Sequence, residues 1–273
     1  MPARVLVTGV RAKTGAPLAE ILLAEGVAVR GGSSDPATVD ADGVEPVAFS
    51  WDDPGGWPVA LDGVDAVFVV RPDRPDAPDL VGRLAAATAP GTRVVLLSDL
   101  NVLADGPDGW SARTEAAVTT SGRPWTLLRP GWFMQVLTDP RFYRDDVAAG
   151  TLPYPAGGGR LSWIDARDIA AVAARALVDD GHDGRAYPLT GPEALTLPET
   201  AAALSEALGH PVVHRDLAPE EAAAGYTGFE RDLAVATYEL VAADHFAVVE
   251  TGVRDVTGRE PRRLEEFLAD AFG

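Results

Sequence analysis

A doubly wound α/β fold built on a parallel sheet is predicted for this chain. Three observations predict it. Six short apolar segments recur over residues 1–130, stretches with helical spacing separate them, and the first apolar segment runs directly into a glycine turn. Strands apolar on both faces, alternating with helices, belong to a parallel sheet covered on both sides. Crossovers in such a sheet are right-handed.

Each element follows from its residues. Val5–Thr8 is a buried strand ending at Gly9. Gly15–Glu25 carries Leu18, Ile21 and Leu22 at helical spacing and stops at Gly26. Val27–Arg30 is the second strand, and Gly31–Pro36 reads as the turn after it. Val47–Ser50 is the third strand, Pro54–Leu61 a short helical link and Asp65–Val70 the fourth strand. Asp79–Thr88 is helical, Arg93–Ser98 is the fifth strand, Trp110–Ser121 is helical and Trp125–Arg129 is the sixth strand. The pattern then loosens. Gly131–Gly150 is aromatic and mixed, and Gly157–Gly159 is a loop. Asp165–Val178 is a strongly periodic helix, Ala186–Leu189 a strand, Pro198–Leu208 a helix and Val212–Arg215 a short strand. Helical patterns follow at 218–224, 228–246 and 262–271. His245 falls on the apolar side of the second of these and reads as a core histidine.

Composition narrows the function. The 273 residues are 47% apolar and 23% charged, so the chain can bury a large core without staples. It has no Cys, which excludes disulfides, thiolate metal sites and a thiol nucleophile. Four scattered histidines, at 182, 210, 214 and 245, argue against a His-rich metal site. A net charge of −18 with no basic face argues against nucleic acid as a partner. The N-terminal apolar run is too short for a signal peptide, and no stretch approaches a membrane span. The expected location is the cytoplasm. The positive charge is almost all arginine, with Lys13 the one lysine.

The glycine turn carries the first chemical signal. In VLVTGVRAKTGAPLAE, Gly9 closes a strand and Gly15 opens a helix. Backbone N–H groups at such a corner, with the helix dipole behind them, favour an anion such as a pyrophosphate. The spacing is G-x-x-x-x-x-G, and Ala12 stands where a reductase-type fingerprint has its middle glycine. A strand–glycine–helix corner also occurs without any ligand.

Further stretches carry a family resemblance: FSWDDPGGW (49–57), DAVFVVRP (65–72), WTLLRPGWFMQ (125–135), WIDARDIAAVAARAL (163–177) and YPLTGPEALT (187–196). With the glycine turn, they resemble the NmrA-like family, atypical members of the short-chain dehydrogenase/reductase superfamily, over nearly the whole chain. The resemblance implies a Rossmann-type doubly wound sheet with a small, mostly helical C-terminal substrate domain. It implies residues 1–150 as the NAD(P)-binding core and 151–273 as the substrate-binding cap, with 163–190 returning to the core. Family activities are NAD(P)H-dependent reductions of quinones, enones and imines, and some members sense redox state without turnover.

The chain departs from the family in three places. After the second strand it reads Gly31–Gly32–Ser33–Ser34, with neither a basic residue for a 2′-phosphate nor an acid for a ribose hydroxyl. Ser33 and Ser34 can bond a phosphate, and Arg11 can supply the charge, so NADP(H) is favoured over NAD(H). Ser50 takes the place of a family Asp near the adenine, and Asp52 and Asp53 read as helix caps. Finally, with Lys13 the one lysine, the Tyr-x-x-x-Lys pair of standard reductases is absent.

Ligands of open α/β sheets bind beyond the carboxyl ends of the strands. That rule, with the resemblance, assigns Gly9, Arg11, Lys13, Thr14, Gly15, Ser33, Ser34 and Arg71 to the cofactor. It assigns Ser98, Arg113 and Tyr143 to catalysis, Tyr143 as the proton donor, and Trp132, Phe133, Gln135, Phe142 and Trp163 to the substrate. Asp99 reads as a turn cap, and Asp165 and Asp168 as ties between a helix and the core. The first functional reading is an NADP(H)-dependent reductase of a conjugated carbonyl, quinone or imine on a small aromatic or apolar molecule. A non-catalytic redox sensor, and a non-redox isomerase, cyclase or lyase, stay open. So does a homodimer.

Overall fold

The structure, a computed structural model, describes residues 4–104 and 106–273. The chain divides into two compact units. The first comprises the residues up to Arg129 together with Ile169–Tyr187, and the second Pro130–Asp168 together with Pro188–Gly273. The first unit therefore ends its opening pass at Arg129, earlier than the boundary expected at residue 150.

The first unit holds β1 (Arg4–Val7), α1 (Gly15–Ala24), β2 (Ala28–Ser33), β3 (Val44–Ala48), α2 (Trp57–Leu61), β4 (Ala66–Val70), α3 (Ala77–Ala87), β5 (Arg93–Leu97), α4 (Trp110–Thr119) and β6 (Trp125–Pro130). The central sheet has seven strands. Six of them run in the order β3-β2-β1-β4-β5-β6, and β9 (Arg185–Leu189) lies beside β6. The registers from β3 to β6 are all parallel. This is the dinucleotide-binding strand order. Leu6, Val67, Val69, Val94, Leu96 and Leu127 line one core, closed by Phe49 and Trp57 from the β3–α2 region and by Leu80, Leu84 and Val118 from α3 and α4.

One strand is longer than the sequence implies. Gly31, Gly32 and Ser33 do not form a turn. They continue β2 and pair with Pro46, Val47 and Ala48 of β3. Close packing explains the glycines. A Cβ on Gly31 would lie 2.6 Å from Val44 Cγ1, and one on Gly32 would lie 3.0 Å from Phe49 Cβ. Glycine here admits a close neighbour and does not form a turn.

The second unit holds α5 (Arg144–Ala148), β7 (Thr151–Pro153), β8 (Arg160–Leu161), the start of α6 (Ala166–Val178), β10 (Leu195–Thr196), α7 (Leu197–Leu208), β11 (Val213–Arg215), α8 (Pro219–Ala222), α9 (Gly228–Ala242), α10 (Gly252–Thr257) and α11 (Leu264–Phe272). Two small sheets pair β7 with β11 and β8 with β10. A capping box formed by Thr196 and Glu199 starts α7, and Gly209 at φ 68° ends it. The periodicity over 228–246 overran its helix. α9 stops at Ala242, Asp244 turns to φ 63°, and His245 is exposed rather than in the core. Among the described residues no helix is long and apolar enough to cross a membrane.

Candidate functional site

In the first unit β1 ends in a tight corner. Thr8 N donates to the Phe68 carbonyl at 3.1 Å, and Ala12 N donates back to the Gly9 carbonyl at 2.9 Å. The helix that follows approaches so closely that a Cβ on Gly15 would stand 2.0 Å from the Gly9 oxygen. No side chain caps α1, and no acid sits in its first turn. Ala16 N donates to the Ala12 carbonyl and Leu18 N to the Thr14 carbonyl, each at 3.1 Å, and Pro17 has no N–H, so the Gly15 amide is the one in this turn left to meet an anion. Thr14 at the N-cap has a buried hydroxyl with no partner. Lys13 is half-buried and Arg11 is exposed.

Of the two serines after Arg30, one is already committed. Ser33 Oγ donates to the Asp35 carbonyl at 2.9 Å and accepts from the Asp35 amide at 3.2 Å, a local turn rather than an open anion ligand. Ser34 is exposed. Asp35 itself accepts from Ala37 N at 3.2 Å, capping the short turn after β2. Asp52 does not cap a helix; it pairs with Arg74 at 2.5 Å. Asp53 stands at an N-cap without a side-chain bond. Ser50 Oγ accepts from Asp52 N at 3.1 Å, and its carbonyl accepts from Trp57 Nε1.

Two polar clusters follow the strand ends. Arg71, after β4, pairs with Asp99 at 2.8 Å and stacks 4.1 Å over the Trp110 ring. Ser111 of α4 donates to the same Asp99 oxygen at 2.6 Å. Asp99 is thus an ion-pair partner and not a cap, and Arg71 has its charge answered within the protein instead of presenting it to a phosphate. Ser98, after β5, donates to Glu115 at 2.7 Å. Glu115 is 6% exposed and is held by Arg129 through Nε at 2.9 Å and Nη2 at 2.6 Å. The paired carboxylate pushes the Arg129 guanidinium pKa up. The α4 residue that meets Ser98 is therefore Glu115. Arg113, assigned to catalysis on sequence, lies exposed on the helix. Glu115 escaped the sequence reading because its partners lie 14 and 17 positions away.

In the second unit Trp132, Tyr143, Tyr154, Tyr238 and Phe246 form one aromatic cluster. Tyr143 is half-buried, with its hydroxyl 3.4 Å from that of Tyr238. Burial, with Tyr154 and Tyr238 beside it, pushes the Tyr143 hydroxyl far above the ordinary phenol range. Two residues assigned to the substrate are otherwise engaged. Trp163 is 2% exposed and donates to Thr200 at 2.9 Å, so it is core. Gln135 donates to Asp165 at 2.8 Å and accepts from Ala166 N at 3.0 Å, so it holds the start of α6. Phe142 is 41% exposed. Phe133 is half-buried, its backbone bridged to Ile164. Asp165 caps α6 through Arg167 N, and Asp168 is paired with Arg262. Tyr154 and Tyr238 were missed on sequence, one inside a proline-flanked loop and the other on a helix read as plain cap.

Among the described residues no group of three or more His, Asp or Glu is placed to hold a metal. A family model for NAD(P)H-binding proteins matches residues 9–180. The chain is 39% identical over 252 residues to an NAD(P)H azoreductase of Xenophilus azovorans, covering 86% of each chain. It is 35% identical over 285 residues to a (4-alkanoyl-5-oxo-2,5-dihydrofuran-3-yl)methyl phosphate reductase of Streptomyces griseus, covering 97% of each. It superposes on the crystal structure of an NADPH-dependent quinone oxidoreductase of Escherichia coli with a TM-score of 0.77 and 25% identity, over 98% of this chain and 100% of that one. The chain belongs to the NAD(P)H-binding family, which is consistent with the NmrA-like resemblance of its sequence segments.

Proposed function

We propose that the protein is an NAD(P)H-dependent oxidoreductase whose substrate is a flat, conjugated small molecule: a carbonyl, quinone, imine or azo compound. The observation that carries the cofactor is the corner between Gly9 and Gly15. Gly15 has no room for a side chain, no side chain caps the helix it opens, and the buried Thr14 hydroxyl has no partner. Those features fit a pyrophosphate. A nicotinamide cofactor would supply the hydride, so the missing Tyr-x-x-x-Lys pair does not exclude reduction.

The chain's own residues have separate tasks in this reading. Gly9, Gly15 and Thr14 seat the diphosphate, with Lys13 beside them. Arg11 and Ser34 meet a 2′-phosphate, which favours NADP(H). Arg71, paired with Asp99 and stacked on Trp110, ties the end of β4 to α4. Ser98 is held by Glu115 and acts as a positioning group. Trp132 and Phe133 line the substrate seat in the second unit. Tyr143, with its raised pKa, keeps its proton and serves as a hydrogen-bond donor.

The test is direct. Wild-type protein should consume NADPH with quinone or azo acceptors, followed by the loss of NADPH absorbance. Binding without turnover would favour a sensor, and conversion without cofactor a non-redox enzyme. Arg11→Ala should weaken NADPH roughly tenfold or more while leaving NADH nearly unchanged. Equal loss for both cofactors would remove Arg11 from the 2′-phosphate.

A further inference from the structure

The crossover from β2 to β3 has no α-helix. Parallel neighbours in a sheet are ordinarily joined by a dozen or more residues, with a helix laid on the sheet face. Here ten residues, 34–43, make the connection, and their one helical piece is a three-residue 3-10 turn at Pro36–Thr38. The β1–β2 and β2–β3 steps run the same way across the sheet, so right-handed crossovers put α1 and this loop on the same face. On that flank α1 meets a loop where a second helix would pack.

Between α1 and the loop lies a groove of about 450 Å³. Ala16, Ala19, Glu20 and Leu23 of α1 line it at i, i+3, i+4 and i+7, so one stripe of the helix faces the groove for two turns, roughly 10 Å. Val39 and Ala41 of the loop line the other side, and the buried Val10 and Val44 lie at the base. The apolar surface is within reach of a partner: Ala16 and Ala41 are exposed, and Leu23 and Val39 are half-buried. Charge stands on both walls. Glu20 is on α1 and Asp40 and Asp42 are on the loop, all three exposed. Among the described residues, none of these carboxylates has a side-chain hydrogen bond or an ion pair.

We propose that this groove docks a partner protein through a short amphipathic helix with Lys or Arg flanking its apolar stripe, laid alongside α1 where a crossover helix would otherwise pack. The stripe covers Leu23, Val39 and Ala41, as apolar anchors do when a helix lies in a groove. The positive flanks meet Glu20 on one wall and Asp40 and Asp42 on the other. A second copy of this chain is a poor match. Its net charge is −18, and the one described helix with more basic than acidic residues is α6, whose two arginines are already paired within the protein. Docking here holds whether or not a nicotinamide cofactor is turned over.

The probe is a fluorescein-labelled peptide of leucine and lysine, about 14 residues long and capped at both ends, with its leucines at helical spacing. Fluorescence anisotropy with the intact protein, in about 0.15 M salt, gives its affinity. A scrambled peptide of the same composition keeps the charge and loses the stripe, and it should bind roughly tenfold more weakly. Asp40→Asn/Asp42→Asn should weaken the striped peptide about fivefold, the worth of two exposed charge contacts. Val39→Ser should weaken it by a similar factor through lost apolar contact, about fivefold. Urea unfolding checks that both variants are folded. Amide exchange should slow in α1 and in residues 34–43 when the striped peptide is added. Equal binding of the two peptides, unchanged affinity in either variant, or protection that falls elsewhere would each overturn the docking site. So would a peptide-free dimer, seen by sedimentation, with residues 34–43 already protected, because the groove would then belong to a second copy.

Discussion

Gly15→Ala should abolish NAD(P)H binding and destabilise the protein by about 3 kcal/mol or more. The added methyl would lie 2.0 Å from the Gly9 carbonyl oxygen, 2.8 Å from its carbon and 3.0 Å from Val10 Cα. All three atoms are backbone, so no side-chain rotation relieves the clash. Either β1 and α1 separate or the turn opens, and both move the amides that seat the anion. Gly9→Ala makes a useful contrast. Its methyl meets Val70 Cγ2 at 3.1 Å, a side-chain atom that can shift, and its cost should be smaller. Urea unfolding gives the stability and tryptophan fluorescence with added NADPH gives the binding. A Gly15→Ala protein that binds NADPH normally would place the cofactor seat elsewhere.

Arg129→Leu should cost about 3–5 kcal/mol, because it leaves the Glu115 carboxylate buried with Ser98 as its remaining side-chain partner. Removing both charges is a different perturbation. The double variant Glu115→Leu/Arg129→Leu should recover most of that loss, since no uncompensated charge remains. Denaturant unfolding of the two single variants and the double closes the cycle. Additive losses would mean that the pair is not coupled across α4 and β6. Activity gives a second readout. If Ser98 is positioned through Glu115, Glu115→Gln should lower kcat while the protein stays folded.

The strands were legible because their burial is written in consecutive residues. AVFVV of β4 and Val94–Leu97 of β5 have no polar face, as expected of central parallel strands. The glycine corner was legible for a similar reason, since both glycines answer to neighbours a few positions away. What escaped depends on distant partners. Gly31 and Gly32 looked like a turn because the reason for them, Val44 and Phe49, lies on the next strand. Arg71 looked available because Asp99 is 28 positions away. Trp163 and Gln135 lie in or beside aromatic stretches, a pattern that reads as a pocket wall. Their polar atoms were already committed, to Thr200 and to the start of α6. Tyr154 shows the reverse error. A single tyrosine between prolines carries no periodic signal, yet its unpaired hydroxyl stands out once its surroundings are seen.

The interrupted first unit bears on how the protein is made. Its last segment, Ile169–Tyr187, follows 39 residues that belong to the other unit (Pro130–Asp168). Synthesis therefore delivers six strands of the sheet well before the seventh. During that interval β6 is an open edge, and Trp125 N and the Thr126 hydroxyl lack the partners that Asp183 and His182 will supply. Unpaired edges invite association with other chains. A ribosome-stalled chain ending near residue 160 should leave β6 open to chaperones and proteases, and one extended past residue 190, with its exit-tunnel segment added, should protect that edge. Folding of the nucleotide-binding unit is in this sense timed by the arrival of α6, and a pause in translation between β6 and α6 would lengthen its most vulnerable state.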